Sequence, residues 1–307
     1  MRGMINGEWH AEITSAGGGL SGIAEGFSTP ASKVTINHAR LRERPQSYHL
    51  YVAHACPFAH RTLLARAVSG LNLPTTTADP WLGGPQGWQL QSGPSDPVPD
   101  AKHLWQVYQA SDENYTGRVS VPVLWDCEEE VIASADSREI MDAILATNAN
   151  GPLPTTADPD LAALTDRIIE GLNLAVYRVG FAGDQQTYDV ASDALHKELR
   201  HFDRRLRDHK WIWRDQLSAA DLLLFATGIR FDVAYHGAFL LLDLMWRDHL
   251  GLQEHLLRVN NRPNVSQTVR LGEYRIHYFD DSAFTIRNPM PNGRWIVPRT
   301  FSMEVSR

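Results

Sequence analysis

The sequence predicts an α/β domain followed by an all-α one, on three observations. Tyr48 to Gly70 reads as a short strand running into a helix, with Tyr48, Leu50 and Val52 alternating and Leu63, Leu64, Ala67 and Val68 recurring at helical spacing after Pro57. Leu73 to Ala78 supplies a second strand, and strand, helix and strand in succession make a right-handed parallel crossover. Beyond the Pro-, Gly- and Thr-bearing stretch 148–159 the pattern turns helical, over Asp160 to Val179, Thr187 to Asp208, Ala219 to Tyr235 and Leu240 to Val259. At 307 residues the chain is long for one core and suits two.

The expected order is an arm over 1–43, an α/β domain over 44–147 with an insertion at 79–116, a linker at 148–159, and a helical domain with a C-terminal extension over 160–307. The arm has no sustained period and contains Gly17, Gly18 and Gly19; Trp9 and Phe27 are its candidate anchors. Asp79 to Asp100, rich in Gly and Pro, carries Trp81 and Trp88 and reads either as an ordered piece near a site or as exposed packing. Ala101 to Ala110 then looks helical, with Leu104, Val107 and Tyr108 on one face. Gly117 to Asp126 alternates as a strand, but Pro122 interrupts it and cannot donate to a ladder. Spacing alone leaves trans as the default for Val121–Pro122. Glu130 to Leu145 reads as a last strand, a turn and a helix with Ile140, Ile144 and Leu145 inward. Ser218 with Asp221 is a capping box.

Hydrophobic content of 43% with 21% charged residues is that of a soluble globular protein. A net charge of -7 gives no reason to expect nucleic acid or an anionic membrane as partner. No apolar run approaches the roughly 20 residues of a membrane span, and Met1 to Leu20 lacks the apolar core of a signal peptide, so a cytoplasmic home is expected. Cys56 and Cys127 are the only cysteines, which leaves no disulfide framework and no cysteine-based zinc pattern.

The strand delivers Cys56 to the start of the Pro57 helix, where unpaired N–H groups and the positive end of the helix dipole favour a thiolate. Ala59 stands three residues on, so a mixed disulfide formed here needs an outside thiol to resolve it. The competing reading is a small apolar filler at a strand end; the place between strand and Pro-initiated helix favours the reactive one. Arg61 either adds charge beside it or points to solvent. Cys127, in the acidic hairpin WDCEEE, reads as inert. Asp136 and Ser137 sit where a helix begins. They serve either as plain caps or as a ligand site in which the helix N–H groups take a carboxylate and Asp136 an ammonium.

A cysteine at a helix start, a later Val-Pro in a strand, an acidic-Ser pair opening a helix and an all-helical second half together resemble the glutathione transferases. These have a thioredoxin-like domain followed by a helical one. ACPFAHRTL closely resembles the ACPWAHR signature of the glutathionyl-hydroquinone reductases, the Xi class. The likeness continues through YQASDENYTGRVSVPVLWD, ADSREIMDAI, NLAVYRVGFA and RFDVAYHG, covering Tyr48 to about Tyr278.

The resemblance implies a fold with a thioredoxin-like N-terminal domain, an all-helical C-terminal domain and a homodimer formed through the latter. It makes Cys56 the nucleophile and Val121, before a cis Pro122, the backbone partner of the glutathione cysteinyl group. Asp136 and Ser137 would hold the γ-glutamyl end, with Phe58 and Arg118 also among the cofactor-binding residues. Tyr177 and Tyr278 would face the aromatic substrate; without the resemblance they read as core aromatics. The implied reaction removes glutathione, the co-substrate, from small quinone-derived thiol conjugates. An omega-like thioltransferase or dehydroascorbate reductase needs the same cysteine without the tyrosines, and a non-catalytic protein on this scaffold would need neither.

Phe58 stands where the family has Trp, Asp136 where it has Glu, and His54 where it has an apolar residue. The first two touch the thiol pocket. Either glutathione binding is relaxed, or another low-molecular-weight thiol such as mycothiol is used. The near absence of lysine, only Lys33, Lys102, Lys197 and Lys210, reads as a GC-rich coding bias that makes the second conceivable.

Overall fold

Strand β3 (Tyr48–Val52) is buried along its whole length, and the first of two units is built around it. The computed structural model describes residues 2–13, 34–82, 84–93, 95–148 and 151–280. β3 pairs in parallel with β4 (Thr75–Thr77) and antiparallel with β5 (Val123–Asp126), which pairs antiparallel with β6 (Val131–Ser134). The sheet order is β4-β3-β5-β6. Between β3 and β4 runs α2 (Pro57–Ser69), ended by Gly70 in the left-handed region at φ 66°. It packs against α4 (Ser137–Leu145), whose Ile140, Ile144 and Leu145 are buried. α3 (Leu104–Ser111) buries Leu104, Val107 and Tyr108, the face the sequence predicts.

The two ends of the expected arm carry regular structure. β1 (Gly3–Ile5) and β2 (Glu8–His10) form a hairpin, and Met4 exchanges both backbone hydrogen bonds with Gly117. α1 (His38–Glu43) begins on Asn37, whose side chain accepts from Arg40 N. The Arg40 guanidinium pairs with the buried Asp126 and with Glu128 at 2.7 Å. These tertiary contacts outweigh a sequence with no period of its own. Trp9 donates through Nε1 to the Pro85 carbonyl at 2.9 Å; Phe27 and Gly17 to Gly19 lie outside the described residues. In the insertion, Trp88 is buried and Trp81 exposed, and Asp96 accepts from Tyr51 Oη at 2.5 Å and Thr76 Oγ1 at 2.9 Å.

The second unit spans 156–262 with 274–280 of the described residues, so the unit boundary falls inside the stretch 148–159, while 263–273 groups with the first unit. It holds α5 (Pro159–Ile168), α6 (Ala175–Gly180), α7 (Gln185–Asp208), α8 (Ala219–Arg230), α9 (His236–Ala238) and α10 (Leu250–Asn260). All of α8 but Ile229 is buried, its polar Asp221, Thr227 and Arg230 included. Its capping box is formed, with Ser218 and Asp221 bonded reciprocally. Three expected helices differ. Residues 169–173 and 231–235 widen into π turns, and the helix expected from Leu240 starts at Leu250. Leu240 has φ 56°, its carbonyl accepts from Tyr188 Oη at 2.6 Å, and Trp246 N donates to Asp232 Oδ1 at 2.6 Å. Side-chain anchors thus hold that apolar stretch as a turn. No helix of the described residues is long and apolar enough to cross a membrane.

Candidate active site

Cys56 occupies the cap position of α2, with extended backbone at φ -73° and ψ 122° and Pro57 in the first helical place. Its N–H donates to Ala53 O at 3.1 Å and its carbonyl accepts from His60 N at 2.9 Å, so the turn is closed on both sides. The half-buried thiol makes no capping bond and directs a long contact, 3.8 Å, to the Val121 carbonyl oxygen. The Val121–Pro122 bond is cis. Tyr108 clamps the residue before it, donating to Ser120 O at 2.8 Å and accepting from Ser120 N at 3.3 Å. Burial pushes the Tyr108 hydroxyl up to about 12, which keeps it a donor. Periodicity shows Tyr108 facing inward and is blind to this bond.

Asp136 caps α4: one carboxylate oxygen, Oδ1, accepts from Arg138 N at 2.7 Å and Glu139 N at 2.9 Å. The residue is exposed. Ser137 Oγ accepts from Arg61 Nη1 at 3.2 Å, and the Arg61 guanidinium lies over the Phe58 ring, 4.5 Å from its centroid. Arg61 is therefore turned inward, bridging two of the residues expected at the thiol cofactor. The Arg118 side chain is exposed, while its carbonyl accepts from Tyr115 Oη at 2.7 Å.

In the helical unit, Tyr177 on α6 and Tyr278 share a hydrogen bond of 2.6 Å between hydroxyls, and Tyr278 donates onward to Tyr235 Oη at 3.4 Å. Phe239 packs on all three rings, with centroid separations of 5.2 Å to Tyr177, 5.7 Å to Tyr278 and 5.4 Å to Tyr235. It fits because position 180 is glycine; a Cβ there would lie 2.3 Å from Phe239 Cδ1. Tyr235 and Phe239 escape sequence reading because an aromatic at helical spacing carries no mark of its partners.

Comparison with known proteins places the chain in a family. Residues 55–147 match the glutathione S-transferase N-terminal domain and 159–263 the glutathione S-transferase C-terminal domain. The chain is 35% identical over 272 residues to the glutathionyl-hydroquinone reductase PcpF of Sphingobium chlorophenolicum, covering 85% of this chain and 84% of that one. It belongs to the glutathionyl-hydroquinone reductases, the Xi class of the glutathione transferases. The Xi-class transferase of Natrialba magadii superposes with a TM-score of 0.78 at 29% identity, covering 93% of each chain. A glutathione S-transferase omega-like 2 of Schizosaccharomyces pombe is 29% identical over 254 residues, 78% of this chain and 77% of that one.

The second cysteine matters to what the first can do, because a thiol within reach could close a disulfide with it. Cys127 N donates to Ser47 O at 2.9 Å, next to the start of β3, whereas Cys56 follows the far end of that strand. Five strand residues span roughly 13 Å, beyond the ~7 Å limit for a disulfide. The Cys127 thiol is pushed up to about 11, first by burial and then by Asp126. Burial thus outranks the acidic neighbours that the hairpin sequence displays.

Proposed function

We propose that this protein removes glutathione from S-glutathionyl-hydroquinones through a mixed disulfide on Cys56. As a member of the family it is a glutathione-dependent oxidoreductase or transferase, with glutathione as co-substrate. The Cys56 thiolate attacks the sulfur of the conjugate; the sulfur–carbon bond breaks, its electron pair stays on the aromatic carbon, and that carbon takes a proton. A tyrosine hydroxyl, from Tyr177 or Tyr278, hydrogen-bonds the ring oxygen and steadies the leaving group. A second glutathione thiolate then attacks the mixed disulfide, releasing glutathione disulfide and Cys56. The sum is one conjugate and one glutathione in, one hydroquinone and one glutathione disulfide out.

The observation that carries this reading is the setting of Cys56: a half-buried thiol at the start of α2, beside the Val121 carbonyl, with Cys127 at the wrong end of β3. Val121, Pro122, Phe58, Arg118, Asp136 and Ser137 are proposed to hold the glutathione, and the tyrosine roles rest on the family resemblance. A homodimer and a cytoplasmic setting belong to the same reading. The likeness to the omega-like protein favours thioltransferase or dehydroascorbate reductase activity as the second reading. Intact-mass analysis after mixing with a glutathionyl-hydroquinone, before free thiol is added, tests the first. One glutathionyl group gained, absent in Cys56→Ala and cleared by glutathione, is expected. No adduct here, with turnover of dehydroascorbate, would favour the second.

A further inference from the structure

Two histidines flank Cys56, and both end on one residue far along the chain. His54 Nδ1 lies 3.2 Å from the Thr268 carbonyl oxygen, and His60 Nε2 lies 2.8 Å from Thr268 Oγ1. Thr268 sits in a 3₁₀ turn, Ser266–Thr268, within the 263–273 segment that groups with the first unit rather than with the helices preceding it. That segment packs against α2.

The protons on these bonds follow from counting. When the Thr268 hydroxyl gives its one proton to Val265 O at 2.7 Å, it accepts toward His60, and His60 Nε2 carries the hydrogen. A carbonyl only accepts, so His54 Nδ1 also carries one. Both rings therefore donate to Thr268. His60 is buried, and its own N–H holds the Cys56 carbonyl at 2.9 Å. The residue two before the thiol and the residue four after it are thus pinned to a single point outside the turn.

We propose that Thr268 is a positioning residue for Cys56, a latch that fixes the thiol turn against the first turn of α2. It rests on Cys56 being the nucleophile. The helix-terminus field that activates a thiol falls off within a turn, so holding the sulfur in register matters more here than along the rest of the helix. His54 serves as the latch's second arm, which gives this departure from the family pattern a role at the nucleophile rather than in the thiol pocket.

The test uses full-length Thr268→Val, which keeps the shape and the carbonyl but loses the acceptor for His60, beside Thr268→Ser, which keeps it. Alkylation of Cys56 by iodoacetamide at fixed pH, resolved by peptide mass, is measured with kcat and KM for a glutathionyl-hydroquinone. Thr268→Val is expected to slow alkylation and kcat by about tenfold to a hundredfold, with KM within about twofold, and Thr268→Ser to restore both. Wild-type alkylation in Thr268→Val, a rise in KM alone, or a Thr268→Ser as slow as Thr268→Val would overturn the latch. If Thr268→Val does not fold, His54→Phe removes only the carbonyl arm: slower alkylation supports the latch and a wild-type rate overturns it. Cys56→Ala separates the two levels. Activity retained there removes the nucleophile, whereas an inactive Cys56→Ala beside a wild-type-like Thr268→Val removes only the latch.

Discussion

The hydroxyl oxygens of Tyr177 and Tyr278 stand 2.6 Å apart, and that of Tyr235 lies 3.4 Å beyond Tyr278. Each hydroxyl carries one proton, so when Tyr278 donates to Tyr235, Tyr177 donates to Tyr278; the pair acts as one hydrogen-bonded group. Burial holds Tyr278 well above the usual phenol range, so it keeps its proton at neutral pH. If the pair hydrogen-bonds the ring oxygen as proposed, Tyr177→Phe and Tyr278→Phe should each lower kcat by about a hundredfold. The double variant should lose little more than the worse single one, because residues that act as a unit are not additive. Steady-state kinetics of all three variants checks this, and a double loss equal to the product of the singles would mean separate roles.

Asp221 ties Ile212 and Ser218, ahead of α8, to His255 of α10. It is buried, and its carboxylate accepts from Ser218 N at 2.8 Å, Ser218 Oγ at 2.9 Å, Ile212 N at 3.0 Å and His255 Nε2 at 2.9 Å. Asp221→Ala strands four buried donors. It should cost about 3–5 kcal/mol, seen as an early midpoint in urea denaturation. Asp221→Asn should also destabilise, since its amide NH2 turns a donor toward donors. A loss below about 1 kcal/mol in Asp221→Ala would show that the box is ornamental.

Much of this was legible in the chain for physical reasons that can be named. The strand and helix around Cys56 carry periods of two and 3.6, and the Ser218–Asp221 box spells its own bonds, so local pattern and tertiary role coincide. α1 was hidden because, beyond the Asn37 cap, its contact to the sheet is made by Arg40 reaching Asp126, a residue 86 positions away. The 240–249 turn was hidden because its apolar residues look helical until Asp232 and Tyr188 take up its backbone. At the site, Cys56 announces itself by its neighbours in sequence. Tyr108, Thr268 and Phe239 act through contacts that only folding creates.

The raised Cys127 thiol gives a pH dependence that is separable from the chemistry at Cys56. With its value pushed up to about 11, only about one in a hundred Cys127 thiols is ionised at pH 9. Cys56→Ala protein is therefore expected to resist iodoacetamide at pH 8 and to label increasingly toward pH 11. The sign carries over to the fold. Because the folded chain holds this proton more tightly than the unfolded one, Cys127 favours folding below its ordinary range, and that contribution is lost as pH rises to about 11. Rapid labelling of Cys56→Ala at pH 8 would contradict the burial that raises it.

Asp136 combines a cap and a charge, and one substitution divides them. Its Oδ1 is committed to Arg138 N and Glu139 N, so a ligand ammonium would be met by Oδ2 on an exposed side chain. Asparagine caps a helix about as well as aspartate, through the same carbonyl oxygen, but offers no charge. Asp136→Asn should therefore leave the melting temperature within about 2 °C of wild type while raising the KM for glutathione about tenfold, the loss expected for a charge-assisted bond. Asp136→Ala should add about 1 kcal/mol of destabilisation through the lost cap, with no further rise in KM. Glutathione kinetics and thermal melts on the two variants distinguish the roles. An unchanged KM in Asp136→Asn would leave Asp136 a cap only and shift recognition of the γ-glutamyl end to Ser137 and the inward-turned Arg61.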